Sequence, residues 1–219
     1  RGGVAPNGRR VLADELVSEM RATSFDLGIP QAPPVGLGWW KFPMAGTTVY
    51  HHGGGSPGGN ASFCIIPEHD AVIISFATGP GMGALNNALH NAVIEELTGR
   101  SVAPAPAFDP QPIDADIAGT YRAFQDRVTV EVKGDDLILT HNFEPYDQEL
   151  RDFFSQMWSP ERFPPVTYRS IGPGQFARAG SKPEDYSGYS RTGLLAVLPA
   201  TANRRMGLHT GVAFTPKVN

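Results

Sequence analysis

The stretch TTVYHHGGGSPGGNASFCII at residues 47–66 decides the architecture of the first half of the chain. Residues 47–51 and 62–66 are apolar runs of strand length that contain β-branched and aromatic side chains. Between them, residues 52–59 are mostly glycine, a composition typical of a loop. We therefore predict two strands joined by a glycine-rich loop, with His51 and His52 where the first strand ends.

Further strands flank this pair. Residues 37–42 and 71–77 are also apolar runs of strand length, and residues 67–70 predict a hairpin turn before the last strand. The strands around this turn are apolar on both sides. This pattern is typical of a sheet that is covered on both faces.

Two helices are predicted in the same region. Residues 11–22 form a short amphipathic pattern with acidic residues early, where they suit a helix N-terminus. Residues 82–97 predict a longer helix that ends at the C-cap Gly99 and lies against the strands. Its apolar residues fall three or four positions apart, at Met82, Leu85, Leu89, Val93 and Leu97.

A proline-rich segment divides the chain. Residues 101–112 contain four prolines, which stiffen the backbone and remove N–H donors. We therefore predict a first domain at residues 1–99, a linker at 100–112 and a second domain at 113–219.

The second domain has the pattern of successive antiparallel strands. Strands are predicted at residues 119–124, 127–132, 137–141, 166–171, 194–198 and 207–214, with a turn at 133–136. A closed or nearly closed barrel fits this pattern, because closure removes exposed sheet edges. Residues 147–165 interrupt it with Phe153, Phe154, Met157, Trp158 and Phe163, and form either a helix or a cap over one mouth of the barrel.

Composition limits the classes of function. The net charge of −4, with only the basic pairs Arg9-Arg10 and Arg204-Arg205, argues against a nucleic-acid partner. No run of 18 apolar residues occurs, so no transmembrane segment is predicted. The chain starts with Arg1, which we interpret as a cut or processed end.

Cys64 is the only cysteine of the chain. A single cysteine excludes an intramolecular disulfide and a cysteine-rich zinc site. Because it lies in an apolar strand, we predict an inert core thiol. The compartment is left open between secreted, periplasmic and cytoplasmic.

Four short stretches of the first hundred residues carry a family resemblance: NGRRVL at 7–12, GLGW at 36–39, YHHGGGSPG at 50–58 and the strand pair around Ile65-Ile66-Pro67. On these stretches the chain resembles the C-terminal part of the β-lactamase-related serine hydrolases. This superfamily includes class C β-lactamases, D-alanyl-D-alanine carboxypeptidases and esterases.

The residues beyond the linker resemble the lipocalin-like domain that often follows such hydrolases. The matching stretches are IAGTYR at 117–122 and GLHTG at 207–211. Together the two resemblances imply an α+β protein. Its first part would be the C-terminal portion of a β-lactamase-like α/β domain, with antiparallel strands and a terminal helix, and its second part a lipocalin-like antiparallel β-barrel.

The resemblance implies a site at His52-Gly53-Gly54. The third active-site motif of the family, Lys-Thr-Gly in β-lactamases and often His-x-Gly in the esterase and peptidase branches, falls on these residues. His52 would face the substrate, Gly53 and Gly54 would let the substrate approach the backbone, and an N–H near Gly55 would supply half of the oxyanion hole. The catalytic candidates are therefore His52, Gly54 and Gly55, and the substrate-binding candidates are His52, Gly53 and Gly54.

The sequence departs from the family in its nucleophile. No serine is followed three residues later by lysine, since Ser18, for example, is followed by Arg21, and no Tyr-x-Asn occurs. In the family both motifs precede the third one. The resemblance therefore implies a partner, the N-terminal half of the same protein, as a cleaved or separate chain.

The expected function follows from that departure. We expect this chain alone to be inactive and its parent to open a small-molecule ester, a D-amino-acid peptide or a β-lactam through an acyl-serine, without a cofactor. The alternative is a non-catalytic ligand-binding or interaction module that uses the barrel. A third possibility is a homologue whose upstream half has lost its motifs.

The two histidines also have structural interpretations. His52 is either part of the site or a strand-end histidine with local hydrogen bonds. His51 is expected on the opposite face of the strand, in a structural role, because neighbouring strand residues alternate. No metal site is predicted, since adjacent strand residues diverge. The glycine-rich loop lacks the Gly-Lys-Ser/Thr ending of a phosphate-binding loop.

The barrel offers two further candidates. His209, near Arg204 and Arg205, either binds an anion or lies on a solvated strand and turn, and we favour the second. The barrel's aromatic side chains either line a ligand pocket or fill the interior, and we favour filling. Besides those of residues 153–163, they are Tyr121, Phe124, Phe143 and Tyr146.

Overall fold

The structure is a computed structural model that describes residues 2–29, 32–56, 58–79, 81–155, 163–210 and 213–218. The chain forms two compact units. One unit comprises Arg1–Ala105 and Tyr186–Arg191, and the other Pro106–Asp185 and Thr192–Asn219. The predicted domain limits at residues 99 and 112 stay a prediction, and nothing in the sequence indicated that Tyr186–Arg191 belongs to the first unit.

The described residues of the first unit form an antiparallel sheet with helices. The four strands of its sheet lie in chain order, and every neighbouring pair is antiparallel. The elements are α1 (Asp14–Arg21), β1 (Trp40–Met44), β2 (Thr47–Ser56), β3 (Gly59–Ile66), β4 (Ala71–Thr78) and α2 (Met82–Thr98).

The glycine-rich segment is a strand and not the predicted loop. Pairing of β2 with β3 continues without a break from Tyr50 opposite Ile65 to Ser56 opposite Gly59. The prediction of a loop over residues 52–59 is therefore wrong for His52 to Ser56 and for Gly59, the first residue of β3. Glycine has low strand propensity, but pairing with a neighbouring strand satisfies its backbone groups and outweighs that preference.

One face of this sheet is covered. Phe42, Val49, Cys64, Ile66, Ile73 and Ile94 are among the residues of the core of the unit. On the other face, the edge strand β4 exposes Val72 (55%), Ile74 (58%) and Phe76 (81%). The described residues thus leave an apolar stripe uncovered on a sheet for which cover on both faces was expected.

Helix α2 lies where the sequence predicts it, against β3 and β4. It ends at Gly99, whose φ of 65° is left-handed and whose N–H donates to the carbonyl oxygen of Glu95 at 2.8 Å. Its buried residues, however, are Asn86, His90 and Ile94. The apolar stripe is largely on the other side: Leu85, Leu89 and Leu97 are exposed.

The second unit is a nearly closed eight-stranded antiparallel barrel, as far as the described residues go. Its eight strands lie in chain order. A bridge between Tyr121 and Lys217 brings the first and last strands together, and the N–H of Val218 donates to the carbonyl oxygen of Thr120 at 2.8 Å. The elements are β5 (Gly119–Ala123), β6 (Asp126–Lys133), β7 (Asp136–Phe143), α3 (Gln148–Ser155), β8 (Val166–Gly172), β9 (Gln175–Arg178), β10 (Leu195–Leu198), β11 (Gly207–His209) and β12 (Phe214–Pro216).

Side chains fill the interior of the barrel. Tyr121 and Leu137 are 0% exposed, and Phe176 and Leu195 belong to the same core. This agrees with the favoured interpretation of filling for Tyr121. Phe124 (99% exposed) and Tyr146 (79%) lie outside the core and neither fill nor line it.

Two features of the barrel strands differ from the sequence prediction. Strand β9 was not predicted, and the single strand predicted at 207–214 is two short strands, β11 and β12. The segment 147–165 begins with the helix α3, while Met157 and Trp158 lie outside the described residues.

Among the described residues, no helix has the length and apolar character needed to cross a membrane.

The proline-rich segment is packed at both ends. Val102 and Ala105 are buried, and the N–H of Val102 donates to Glu95 Oε1 at 2.8 Å in the first unit. In the second unit, the N–H of Gln111 donates to Ser170 Oγ at 2.9 Å. Each end of the proline-rich segment is thus tied by a backbone N–H to one of the two units.

Candidate functional site

The predicted site lies on β2 beyond the end of β1. Strand β1 pairs with β2 only from His51 back to Thr47, whereas β3 pairs with β2 as far as Ser56. Within the described ranges, residues 52–56 therefore have no strand partner on the β1 side. Because backbone groups of an antiparallel strand point alternately to its two sides, this edge offers unpaired N–H and C=O groups.

His52 is exposed at this edge. Its ring stacks on the indole of Trp40, with centroids 5.6 Å apart and planes 7° apart. A Cβ atom added at Gly54 or Gly55 would meet no heavy atom within 4 Å, whereas one at Gly53 would lie 3.2 Å from the carbonyl oxygen of Ala61. The four candidate residues thus share one exposed strand segment, and their role in binding or catalysis stays a prediction.

Two asparagines that the sequence analysis missed support this segment. Asn60 Nδ2 donates to the carbonyl oxygen of Gly54 at 3.4 Å, and Asn86 Nδ2 donates to Asn60 Oδ1 at 2.6 Å. Asn86 is only 4% exposed, so this amide network ties α2 to the candidate site. The available signal was the spacing of Asn86, His90 and Ile94, which share a helix face because they lie four residues apart.

His51 lies on the opposite face, as strand alternation predicts, and is 7% exposed. Its Nε2 is 2.9 Å from Ser62 Oγ. A parallel pair lies next to it, where His90 Nε2 is 3.1 Å from Ser75 Oγ. The Nδ1 atoms of both histidines are buried without a hydrogen-bond partner among the described residues.

The segment Tyr186–Arg191 completes this cluster. Tyr189 stacks on His51 with ring centroids 4.1 Å apart and meets Phe42 edge-on at 4.9 Å. Two residues of α2 anchor the segment: Asn87 Oδ1 accepts from the N–H of Tyr189 at 3.1 Å, and Asn91 Nδ2 donates to Ser187 Oγ at 3.0 Å.

Burial keeps the whole cluster uncharged. Burial, and then the charges of His90 and His52, lower the pKa of His51 to about 4, and burial also lowers the pKa of His90. Burial raises the pKa of the Cys64 thiol and that of the Tyr189 hydroxyl. Each group therefore stays in its neutral form near pH 7.

The Ser62–His51 pair has the spacing of a nucleophile and its base, but it cannot act as one. Ser62 is 6% exposed, so a substrate cannot reach its Oγ. His51 Nδ1 also lacks the orienting partner that such a base uses, within the described part of the chain. The cluster is a buried structural network.

Cys64 and His209, two further candidates from the sequence, are both buried. Cys64 is 0% exposed, which confirms a buried core thiol. His209 is 7% exposed in β11, and burial lowers its pKa, so the favoured solvated strand is wrong for this residue. No group of three or more His, Cys, Asp or Glu among the described residues could hold a metal ion.

The fold defines an α+β class that combines an antiparallel sheet with helices and a nearly closed eight-stranded barrel. SurE, among solved structures, shares this fold at a TM-score of 0.61 and 18% sequence identity, and a structure of SurE with D-Leu gives 0.60 and 18%. The matches cover 95% of this chain but only 43% and 44% of those chains. This chain thus spans less than half the length of SurE.

A third structure, the octameric penicillin-binding protein homologue from Pyrococcus abyssi, gives a TM-score of 0.32 and 12% identity over 95% of this chain and 43% of that one. No protein family and no curated protein sequence matches the chain. The likeness to SurE, at 18% identity, establishes the fold alone.

Proposed function

We propose that this chain is the C-terminal part of a β-lactamase-related serine hydrolase and contributes the third active-site motif to an acyl-serine reaction. The nucleophile would come from the N-terminal half of the same protein. The observation that carries the proposal is the free edge of β2 at residues 52–56, where an exposed histidine lies beside open glycine backbone. The barrel would be the lipocalin-like domain of that hydrolase.

The uncovered apolar surfaces of the first unit support a missing half. Val72, Ile74 and Phe76 are exposed on β4, and Leu85 and Leu89 are exposed on α2. Burial of apolar surface stabilises a protein by about 25 cal/mol per Å², so a partner that covers these two stripes would be favoured. This chain matches only 43% of the SurE chain, so a protein of the length of SurE would have room for such a covering part.

In this proposal each site residue has a defined task. The upstream serine Oγ attacks the carbonyl carbon and gives its proton to a base of the upstream half, the C–N or C–O bond breaks, and the leaving amine or alcohol takes that proton. Water then hydrolyses the acyl-serine to a carboxylic acid and the free serine. The N–H near Gly55 donates to the oxyanion, which stabilises the transition state by about 3 kcal/mol. His52 donates a hydrogen bond to the substrate or to the partners of the nucleophile, and Gly54 lets the substrate lie close to the strand.

The substrate class that we favour is a D-amino-acid peptide. SurE, which shares the fold, has a structure with D-Leu. Of the three expected substrates, an ester, a β-lactam or a D-amino-acid peptide, the last contains such a residue.

The test uses the chain extended by the residues encoded upstream in its gene. We expect S-x-x-K and Tyr-x-Asn there, and a stoichiometric acyl adduct on the upstream serine after incubation with a D-leucine p-nitrophenyl ester, detected by intact mass. His52→Ala should slow acylation about a hundredfold, while the exposed control His69→Ala should not. An adduct on any serine of the 219 residues, or upstream residues without these motifs, would contradict the proposal.

The ligand-binding form of the alternative, a non-catalytic ligand-binding or interaction module that uses the barrel, gains no support from the structure. The interior of the barrel is occupied by Tyr121, Leu137, Leu139, Tyr168, Phe176 and other buried side chains. We therefore do not propose it as a second function.

A further inference from the structure

A cleft of about 860 Å³ lies beside the turn between β1 and β2. This size is typical of sites for small molecules, about 300 to 1,000 Å³. Its apolar lining includes Pro33, Pro34, Phe42 and Met44. The cleft also reaches Thr47, five residues before His52 on β2, which corresponds to about 16 Å along a strand, so it is separate from the site proposed above.

Among the described residues, four charged side chains line the cleft, and three of them are engaged in hydrogen bonds. Asp26 Oδ1 accepts from the N–H of Gly28 at 2.7 Å, and Glu68 Oε2 accepts from Thr47 Oγ1 at 2.5 Å. Arg191 Nη2 donates to the carbonyl oxygens of Ala103 at 3.0 Å and Pro104 at 2.8 Å. These contacts hold the three side chains to the wall of the cleft.

The fourth charge, Arg100, is different. Within the described ranges its guanidinium has no hydrogen-bond or ion-pair partner, although the backbone of Arg100 bonds to Thr98. The guanidinium lies against Gly46, where an added Cβ atom would clash with Arg100 Nη1. Gly46 has a φ of 77° in the β1–β2 turn, so glycine there both permits the turn and leaves room for this side chain.

We propose that this cleft binds small carboxylates that carry an apolar group, with Arg100 as the anchor for the carboxylate. An unpaired guanidinium offers parallel N–H donors that match the two oxygens of a carboxylate. The apolar wall of prolines, Phe42 and Met44 then buries the rest of the ligand. This site goes beyond the proposed hydrolase function and does not depend on it.

The test is an NMR titration of the full 219-residue chain with N-acetyl-L-leucine and with its uncharged carboxamide. The acid should shift the amide signals of Gly46, Thr47, Ser101 and Val102 saturably, and the carboxamide should bind about tenfold more weakly, because it lacks the charge that Arg100 recognises. The substitution Arg100→Gln should lower the affinity for the acid about tenfold. Arg9→Gln removes the same charge from an exposed arginine of the same unit outside the cleft and should leave the affinity unchanged.

Three results would overturn the proposal. The signals of the cleft do not shift with the acid, or the acid and the carboxamide bind equally well, or Arg100→Gln and Arg9→Gln change the affinity of the acid to the same extent.

Discussion

The ring of Tyr189 stacks on the ring of His51, with centroids 4.1 Å and planes 25° apart. In the sequence, Tyr189 lies between β9 and β10, two strands of the barrel, yet it is buried in the core of the first unit. The first unit therefore depends on a side chain that the sequence places in the second predicted domain. A fragment that ends at residue 99 lacks this side chain.

Truncation of Tyr189 should destabilise the first unit. We expect Tyr189→Ala to lower its free energy of unfolding by about 3 kcal/mol, because a large aromatic side chain leaves a cavity between Phe42 and His51. Hydrogen exchange of α2 and β2 measures this loss locally. Tyr146→Ala removes an exposed tyrosine and should change stability by less than about 0.5 kcal/mol. Equal protection in the two variants would show that the stack contributes nothing.

Acid should weaken the same cluster. The pKa of His51 is about 4 in the folded state and 6.5 when unperturbed, so the unfolded state binds more protons between these values. The free energy of unfolding should thus fall as pH falls from about 6.5 to about 4, by about 3 kcal/mol from His51. Burial moves the pKa of His90 in the same direction.

Urea unfolding at several pH values checks this dependence. His51→Gln should flatten the slope over that window, whereas the control His69→Gln changes an exposed histidine and should keep it. A slope that is identical in all three proteins would contradict the assignment to His51.

The two adjacent histidines should contribute differently to stability and to activity. His52→Ala should change the free energy of unfolding by at most about 1 kcal/mol, since the residue is exposed and loses only its stack on Trp40. His51→Ala should cost more, about 2 kcal/mol, because it also leaves Ser62 without its partner. In the extended hydrolase, His52→Ala should instead slow acylation strongly, and His51→Ala should slow it little. Comparable losses of acylation for both variants would mean that the third motif is misplaced.

The amide network should couple α2 to the glycine segment. Asn86→Ala and Asn60→Ala each remove a member of the chain that ends at the Gly54 carbonyl. We expect Asn86→Ala to cost about 2 kcal/mol, because Asn86 is buried, and the double variant to cost about 1 kcal/mol less than the sum. A double-mutant cycle from urea unfolding measures this coupling. Strict additivity would show that the two side chains do not cooperate.

The exposed apolar stripes should make the isolated chain self-associate. Phe76→Thr and Leu85→Gln remove apolar area from β4 and α2, where both side chains are exposed. They should lower the apparent mass in light scattering and the binding of a hydrophobic dye, with stability changed by less than about 0.5 kcal/mol. As a control, Phe124→Thr changes a 99% exposed side chain outside both stripes and should not lower the apparent mass. If the unsubstituted 219-residue chain were monomeric and bound no dye, the need for a covering partner would be contradicted.

Local patterns in the sequence were sufficient for most elements. The spacing of apolar residues located α2, and Gly99 marked its end. Strand alternation also placed His51 and His52 on opposite faces. These features depend on neighbouring residues along the chain, which the sequence contains in full.

Contacts between distant segments decided the rest. The glycines at 53–55 continue a strand because β3 pairs with them. Helix α2 turns Asn86 and His90 inward because the polar side chains of Asn60 and Ser75 lie opposite and form hydrogen bonds with them. Periodicity identifies a stripe on a helix but not the neighbour that covers it. The burial of Tyr189 in the first unit also depends on distant residues. Its ring packs against Phe42, His51 and His90, and the local sequence of residues 186–191 contains no information about these neighbours.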